Sequence, residues 1–310
     1  MNKIKIFSPA TIANLSCGFD TLGLALTNVG DEMTLKKTAT KGVTISIIKG
    51  ADLPYNIKQN AASVVALAML AKVKADFGID IELLKKVKPG SGLGSSASSA
   101  AGSAFAVNYL LGNPFSKLEL TEFARIGEKI ACGSPIADNV AAAIYGGIIL
   151  VKSYLPLEIV KLPVPNELWI TVIHPQIEVK TEDARNVLPS TIPLRDATRQ
   201  GANLAGFVSA LYTEDYGLIS RALIDVIAEP HRKKLIPLFD KVKDNAIANG
   251  ALGVGISGAG PSIFSLSKGE ENAKNVAEAM KEVYQKSTID FHIYVSKINT
   301  EGVQILESHP

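Results

Sequence analysis

Cysteine and histidine are scarce in this 310-residue sequence, which holds two cysteines and four histidines. The two thiols, Cys17 and Cys132, cannot build a disulfide framework or a cysteine-rich zinc site. We therefore expect a reduced, cytoplasmic protein, with one structural disulfide as the alternative. The histidines show no metal-ligand spacing, and we expect structural or surface roles for His174, His231, His292 and His309.

Neither an excess of one charge nor a long apolar run is present. The 32 Lys and Arg residues nearly balance the 30 Asp and Glu residues, for a formal net charge of +2. A dedicated nucleic-acid binder usually carries a basic patch, so we expect no nucleic-acid partner. A membrane helix needs about 20 apolar residues, and polar residues interrupt the richest segment, 97–111. The first seven residues are too few and too charged to predict a signal peptide, and we expect no membrane association.

Hydrophobic residues make up 47% of the sequence and charged residues 20%, as in a globular protein with a sizeable core. At roughly 150 residues per domain, the length of the chain indicates two domains. We predict them at 1–160 and 161–310. The proline-bearing segment 152–166 is the linker candidate. Strands and helices mix without strict alternation, which favours the α+β class.

Hydrophobic periodicity and helix-capping signals divide the chain into short elements. We expect Pro9 to end the first strand. The predicted strands are 3–8, 43–48, 79–84, 146–151, 168–174, 254–257, 262–266 and 291–297. The predicted helices are 61–73, 97–111, 117–131, 196–212, 218–228, 235–249 and 270–286.

The glycine-rich segment 89–99 reads PGSGLGSSASS and follows a predicted strand. Three alternate glycines let backbone N–H groups crowd around an anion. A helix that begins near Ser95 would direct its positive N-terminus at that anion. The hydroxyls of Ser95 and Ser96 are suited to phosphate or Mg²⁺. The segment therefore predicts a phosphate cradle, and a tight turn before a small-residue packing helix is the alternative.

The segment fits none of the other common loop motifs. A dinucleotide fingerprint needs a third glycine where Ser95 stands, and a P-loop needs a lysine that is absent. Neither glycine segment contains the Gly-x-Ser-x-Gly nucleophile elbow. The segment 253–258 does match Gly-x-Gly-x-x-Gly, but Pro261 blocks the helix that a dinucleotide site requires. That segment predicts a strand–turn–strand instead.

Three motifs follow one another along the chain, at 8–23 (SPATIANLSCGFDTLG), 89–99 and 255–262 (GISGAGPS). The chain resembles the GHMP family of small-molecule kinases, in which the second and third motifs are general. The first motif resembles the homoserine kinase branch, as do two further patches at 181–189 and 225–232. The resemblance spans nearly the whole chain. It implies a ribosomal-S5-like N-terminal domain and a ferredoxin-like C-terminal domain.

The resemblance also implies ATP-dependent phosphorylation of the side-chain hydroxyl of L-homoserine, a step of threonine biosynthesis, and it suggests a homodimer. It makes ATP the co-substrate and makes Ser96 and Glu128 ligands of Mg²⁺. Without the resemblance, Asn60 is a plain helix N-cap and Glu128 an exposed helix charge. The implied ATP-binding residues are Asn60, Lys88, Pro89, Gly90, Ser91, Gly92, Leu93, Gly94, Ser95, Ser96, Ala97, Ser98, Gly258 and Gly260.

A substrate pocket for an amino acid is implied as well. A guanidinium can bind a carboxylate through two hydrogen bonds, and an ammonium group needs carboxylates. Without the resemblance the arginines concerned are solvated surface charges and Asp20 is a turn residue. The implied ligands are Arg185 and Arg232 for the carboxylate, Asp20 and Asp138 for the ammonium, Asn14 and Asn139 for the hydroxyl, and Thr181 for the pocket wall.

The implied catalytic residues are Asn14, Asn139, Ser96 and Glu128. Galactokinase and mevalonate kinase place an aspartate base where this chain has Asn139, and an amide cannot accept a proton there. We therefore expect no strong protein base, and the hydroxyl proton passes to a γ-phosphate oxygen. The chain departs from the family at Ile136, where homoserine kinases often have histidine. The alternatives are a GHMP kinase for another alcohol, such as mevalonate, and a catalytically silent member that binds ATP or an amino acid.

Overall fold

The computed structural model describes residues 2–309 of the chain. Its strands are β1 Lys3–Ala13, β2 Leu22–Thr38, β3 Gly42–Lys49, β4 Gly78–Leu84, β5 Ile148–Tyr154, β6 Leu157–Leu162, β7 Leu168–Pro175, β8 Ala251–Ile256, β9 Ile263–Lys268, β10 Phe291–Lys297 and β11 Gln304–His309. Its α-helices are α1 Ala61–Val73, α2 Ser95–Leu110, α3 Lys117–Cys132, α4 Asp138–Tyr145, α5 Thr181–Asn186, α6 Leu194–Thr213, α7 Tyr216–Ala222, α8 Glu229–Arg232, α9 Phe239–Ala248 and α10 Glu270–Gln285.

Seven strands form the first sheet, whose main path runs β11-β1-β2-β4-β3. The pair β3 and β4 is parallel, and the other pairs are antiparallel. The 17-residue strand β2 takes different neighbours along its length, since residues 22–24 pair with β5 and residues 32–38 pair with β4. Strand β2 therefore joins the two parts of this sheet.

Helix α2 packs directly on β1 and β2. Its buried side chains are almost all small, and Ala97 and Ala101 are completely buried. Near its N-terminus, Ser98 Oγ donates to Ser8 O at 2.9 Å and Ser8 Oγ donates to Ser98 O at 2.7 Å. Close packing and this reciprocal pair hold the N-terminus of α2 in one place over β1.

The second sheet is antiparallel in the order β10-β7-β9-β8, and α9 and α10 share a core with it. A separate core combines residues of both sheets, with Ile12 and Leu22 from the first and Val172 and Phe264 from the second. This shared core fixes the two sheets relative to each other because protein interiors pack closely. Loops that follow β1, β4 and β8 meet beside it.

The α+β class is confirmed, but several predicted boundaries are wrong. Strand β1 continues past Pro9 to Ala13, with a register shift between Pro9 and Thr11. A shift of this kind tolerates proline, which lacks the N–H that a regular ladder uses. The predicted linker at 152–166 is wrong because its first part forms the β5–β6 hairpin. Helix α7 ends at Ala222 rather than at residue 228, and α9 begins at Phe239 rather than at residue 235.

The sequence prediction also omits β2, β6, β11, α4, α5 and α8. The domain boundary at 160 and 161 falls inside β6 and stays a prediction, and β11 returns to the first sheet. The strand–turn–strand at 253–258 is confirmed by β8 and β9. Both cysteines are free. Within residues 2–309, no helix is both long enough and apolar enough to span a membrane.

Candidate active site

A cavity of about 370 Å³ opens where the three motif loops meet. Ser257 Oγ donates to Gly92 O at 2.6 Å, which joins the third motif to the second. Asn14 Nδ2 donates to Gly258 O at 3.0 Å, which joins the first motif to the third. Polar and charged residues that line the cavity include Asn14, Asp20, Asn60, Lys85, Ser96, Glu128, Asp138, Asn139, Thr181, Arg185 and Arg232.

The glycine loop leads into the N-terminus of α2, as the sequence predicts. Gly94 is the N-cap of α2 and has a φ of 62°, a left-handed conformation that favours glycine. A Cβ on Gly94 would lie 1.9 Å from Thr11 Oγ1, and a Cβ on Gly92 would lie 2.6 Å from Gly260 O. Any side chain at these two positions would push the loop away from the other motifs.

The loop rests on a buried ion pair between Lys85 and Asp31, which the sequence analysis missed. Lys85 Nζ also donates to Ser95 O at 2.8 Å and to Ser99 Oγ at 3.0 Å. Asp31 accepts the N–H groups of residues 86 and 87 at 2.7 and 3.0 Å. Burial lowers the pKa of Lys85, and the nearby Asp31 opposes the shift. The pair therefore ties the end of β4 and the first turn of α2 to β2.

Glu128 on α3 faces the first turn of α2, where Ser96 also lines the cavity. Glu128 is 5% exposed, so its interpretation as an exposed helix charge is wrong. Its Oε1 is buried without a hydrogen-bond partner among residues 2–309. Burial raises the pKa of Glu128 to about 7, and the Ser96 hydroxyl opposes the shift. A buried carboxylate oxygen with no partner, beside a serine hydroxyl, fits a hard cation such as Mg²⁺.

Two arginines and an aspartate form the opposite wall. Arg185 pairs with Asp20 through three nitrogen–oxygen contacts of 3.2–3.3 Å. Arg232 is 4% exposed and donates to Ala184 O at 2.8 Å and to Gly258 O at 2.9 Å. The interpretation of Arg232 as a solvated surface charge is therefore wrong, whereas the Arg185 side chain remains 39% exposed.

Asp138 is the first residue of α4 and is almost completely buried in the cavity wall. Burial raises its pKa to about 8, and the negative charge of Asp20 adds to the shift. One carboxylate oxygen accepts the N–H of Asn139 at 2.7 Å. A buried carboxyl group of this kind is ready to ionise when a cation enters the cavity.

The two predicted asparagines are held by their neighbours. Asn14 has a φ of 72°, and its Oδ1 accepts the N–H of Asp20 at 3.0 Å. Asn139 Oδ1 accepts a hydrogen bond of 2.7 Å from Thr11 Oγ1, which leaves the Asn139 NH₂ group as a donor. Thr11 lies inside the first motif but is not among the predicted site residues.

Asn60 is the N-cap of α1, as its alternative interpretation predicts. Its Oδ1 accepts the N–H of Ala62 at 3.0 Å, and its Nδ2 donates to Pro54 O at 3.1 Å. Asn60 also lines the cavity, together with Leu53, Pro54 and Gln59. The position of Asn60 therefore fits both a helix N-cap and an ATP-binding residue.

Four predicted ATP-binding residues lie outside the cavity wall. Leu93 packs in the core that both sheets share, and Ala97 and Ser98 are completely buried within α2. Lys88 is exposed, and its side chain does not line the cavity. The cavity does include Pro89, Gly90, Ser91, Gly92, Gly94, Ser95, Ser96, Gly258 and Gly260.

Tyr154, another residue that the sequence analysis missed, connects two walls of the site. Its hydroxyl donates to Asp20 O at 2.8 Å and accepts the N–H of Ala137 at 3.3 Å. The patch 133–139 that contains Ile136 is therefore tied to the first motif, and Ile136 itself lines the cavity. Tyr154 belongs to β5, and no local motif marks it.

Comparison with known proteins agrees with this geometry. The family model for the GHMP kinases N terminal domain matches residues 57–147, and the model for the GHMP kinases C terminal matches residues 207–286. A homoserine kinase from Chlorobium phaeobacteroides is 44% identical over 99% of this chain and 100% of its own length. The chain belongs to the homoserine kinases of the GHMP family.

Two further relatives extend the likeness. A homoserine kinase from Methanococcus maripaludis is 43% identical over 92% of this chain and 94% of its own. The crystal structure of a homoserine kinase from Cytophaga hutchinsonii superposes with a TM-score of 0.95 at 47% identity, and covers 99% of this chain and 98% of that one. The chain thus has the two-domain GHMP kinase fold, with the cavity at the junction of its motif loops.

Proposed function

We propose that this protein transfers the γ-phosphoryl group of ATP to the side-chain hydroxyl of L-homoserine. The composition of one cavity supports this reaction. A glycine loop and helix N-terminus suited to phosphates form one wall, and paired charges suited to a zwitterion form the other. Membership of the homoserine kinases supports the same reaction.

The phosphates would lie against the loop at the N-terminus of α2, where free N–H groups and the helix dipole favour negative charge. Ser96 and Glu128 are the residues that would hold Mg²⁺. When bound, Mg²⁺ neutralises charge on the phosphate oxygens. The cavity contributes one carboxylate here, and Mg²⁺ commonly completes its coordination with waters and substrate phosphates.

When homoserine binds, its two charged groups would replace the ion pair between Arg185 and Asp20. Arg185 and Asp20 neutralise each other without substrate. A zwitterion offers a carboxylate to Arg185 and an ammonium group to Asp20, so no charge is left unpaired. Buried Arg232 adds donors for the carboxylate, and Asp138 adds an acceptor for the ammonium group. A neutral sugar would supply neither charge.

The hydroxyl would lie near Asn139, which has an amide where a base would need a carboxylate. We infer that the hydroxyl oxygen forms the new bond to phosphorus as the bond to the ADP oxygen breaks. The hydroxyl proton passes to an oxygen of the transferred group. A limb in the kcat profile, measured at saturating homoserine, that is lost in Asp138→Asn would contradict this inference.

ADP release measured with Mg-ATP and L-homoserine tests the proposal, with L-serine, mevalonate, galactose and no acceptor as parallel reactions. We expect turnover with homoserine well above the other reactions. Turnover with a different acceptor would retain phosphoryl transfer and overturn the assignment of the charged wall. Thermal stabilisation by Mg-ATP without ADP release from any acceptor would identify a catalytically silent member.

A further inference from the structure

The ring of Phe19 contacts both arginines of the charged wall. The Arg232 guanidinium carbon lies 5.0 Å from the ring centroid, and that of Arg185 lies 5.9 Å from it. Phe19 is half-buried, but it does not line the cavity itself. Phe19 therefore reaches the cavity through its neighbours, and the two arginines are the cavity residues that lie over its ring.

The loop that carries Phe19 is closed by hydrogen bonds on both sides. The N–H groups of Thr21 and Leu22 donate to Gly18 O at 2.9 Å, and the N–H of Gly18 donates to Asn14 O at 2.8 Å. The N–H of Asp20 donates to Asn14 Oδ1 at 3.0 Å. The backbone on either side of Phe19 is fixed, so the ring stands at a defined place between α5 and α8.

Two guanidinium groups converge here, and like charges repel. The pKa of Arg232 is lowered, mainly by burial, and Arg185 is one of the charges that lower it further. The face of an aromatic ring carries partial negative charge and attracts cations. The Phe19 ring therefore reduces the repulsion between the arginines before an anionic ligand arrives.

We propose that Phe19 is a positioning residue, which holds Arg185 and Arg232 in the arrangement that binds the carboxylate of the substrate. The inference rests on the proposed function, because the carboxylate is that of homoserine. It assigns a specificity role to a residue between the glycine and the aspartate of the first motif.

Steady-state kinetics of Phe19→Leu tests the role. Two cation–ring contacts, each of the usual strength, predict that KM for homoserine rises roughly 5- to 30-fold. We expect kcat and the KM for ATP to stay within about twofold, because neither depends on the carboxylate contact. Phe19→Tyr keeps the ring and should keep the wild-type KM. Phe77→Leu is the matched control, since Phe77 faces Lys37 at 4.4 Å outside the site.

A double-mutant cycle with Arg185→Ala separates positioning from packing. If Phe19 acts through Arg185, Phe19→Leu raises KM less in the Arg185→Ala background than in the wild type. An unchanged KM in Phe19→Leu, equal effects in both backgrounds, or a Phe19→Tyr variant as impaired as Phe19→Leu would each overturn the inference. Absence of homoserine turnover in the wild type would instead overturn the proposed function.

Discussion

Arg185 and Asp20 show how two side chains can prepare a site for a zwitterion. They are 165 positions apart in the sequence and pair directly in the cavity wall. Each neutralises the other in the structure, and we propose that a ligand with both charges replaces the contact. No local pattern predicts this pairing. The sequence supplied the two residues through their motifs, and only the fold shows that they meet.

Arg185→Ala should weaken homoserine binding. Loss of a charge-assisted hydrogen bond removes about 1.5–3 kcal/mol, which corresponds to a decrease of roughly 10- to 150-fold in kcat/KM. Arg195→Ala is the control, because the Arg195 side chain is 87% exposed and pairs with its neighbour Asp196. A kcat/KM for homoserine that matches the control would remove Arg185 from the substrate pocket.

Asp138 should give the reaction a pH dependence in the neutral range. Burial raises its pKa to about 8, so the free enzyme carries a protonated Asp138 below that pH. The raised pKa favours the folded state at low pH, and this stabilisation is lost as pH rises through about 8. Binding of an ammonium group needs the ionised form. We therefore expect kcat/KM for homoserine to rise with pH up to about 8.

Calorimetry provides a second measurement for Asp138. Below pH 8, homoserine binding should release a proton, seen as a binding enthalpy that changes with the ionisation enthalpy of the buffer. Asp138→Asn should bind more weakly and release none, whereas Asp183→Asn, at an exposed position of α5, should behave as wild type. Proton release that persists in Asp138→Asn would assign the titration to another group.

At the scale of elements, the glycine loop and α2 are the part that local chemistry predicts best. The alternate glycines and the serines place the N-terminus of α2 near Ser95, where the structure has it. Strand β2 is the element that local chemistry predicts least well. Its middle, residues 28–31, reads Asn-Val-Gly-Asp, a composition typical of turns. There Asp31 is buried because Lys85 from the end of β4 neutralises it, and that partner lies 54 positions away.

The buried pair should determine both the stability of the protein and the shape of the glycine loop. Lys85→Met leaves the Asp31 carboxylate buried without its cation, and breaking such a pair costs about 3–5 kcal/mol. We expect a lower Tm and a higher KM for ATP, because the contact to Ser95 O is also lost. The double variant Asp31→Asn with Lys85→Met should regain much of the stability, since the introduced amide oxygen still accepts the two backbone N–H groups.

The adjacent residue provides the control for this change. Lys86 pairs with Glu32 at the surface, and its side chain is 52% exposed. Surface substitutions of this type change stability by about 0.5 kcal/mol or less. If Lys85→Met and Lys86→Met had the same Tm and the same KM for ATP, the ion pair would not support the loop.

At the scale of the whole molecule, the candidate active site depends on two sheets that share a core. The sequence predicts the α+β class and most helices, but it does not show that β11 returns to β1 or that Phe264 packs with Leu22. These contacts join distant parts of the chain and leave no periodic signal. The homodimer that the resemblance suggests stays a prediction, which light scattering of the purified protein tests.

The shared core predicts that both sheets unfold together. We expect one thermal transition, and Mg-ATP should raise the Tm of that single transition. At a hundredfold excess of Mg-ATP over its Kd, the free energy of unfolding should rise by about 2.7 kcal/mol. Phe264→Ala removes a completely buried ring from the shared core and should destabilise the protein by about 3–5 kcal/mol. The ring belongs to the second sheet and the glycine loop follows a strand of the first. A lowered Tm with a single transition would therefore show that the two sheets unfold as one unit. Two transitions, of which Mg-ATP moves one and Phe264→Ala the other, would mean that the sheets fold as independent units and that the cavity forms only when they dock.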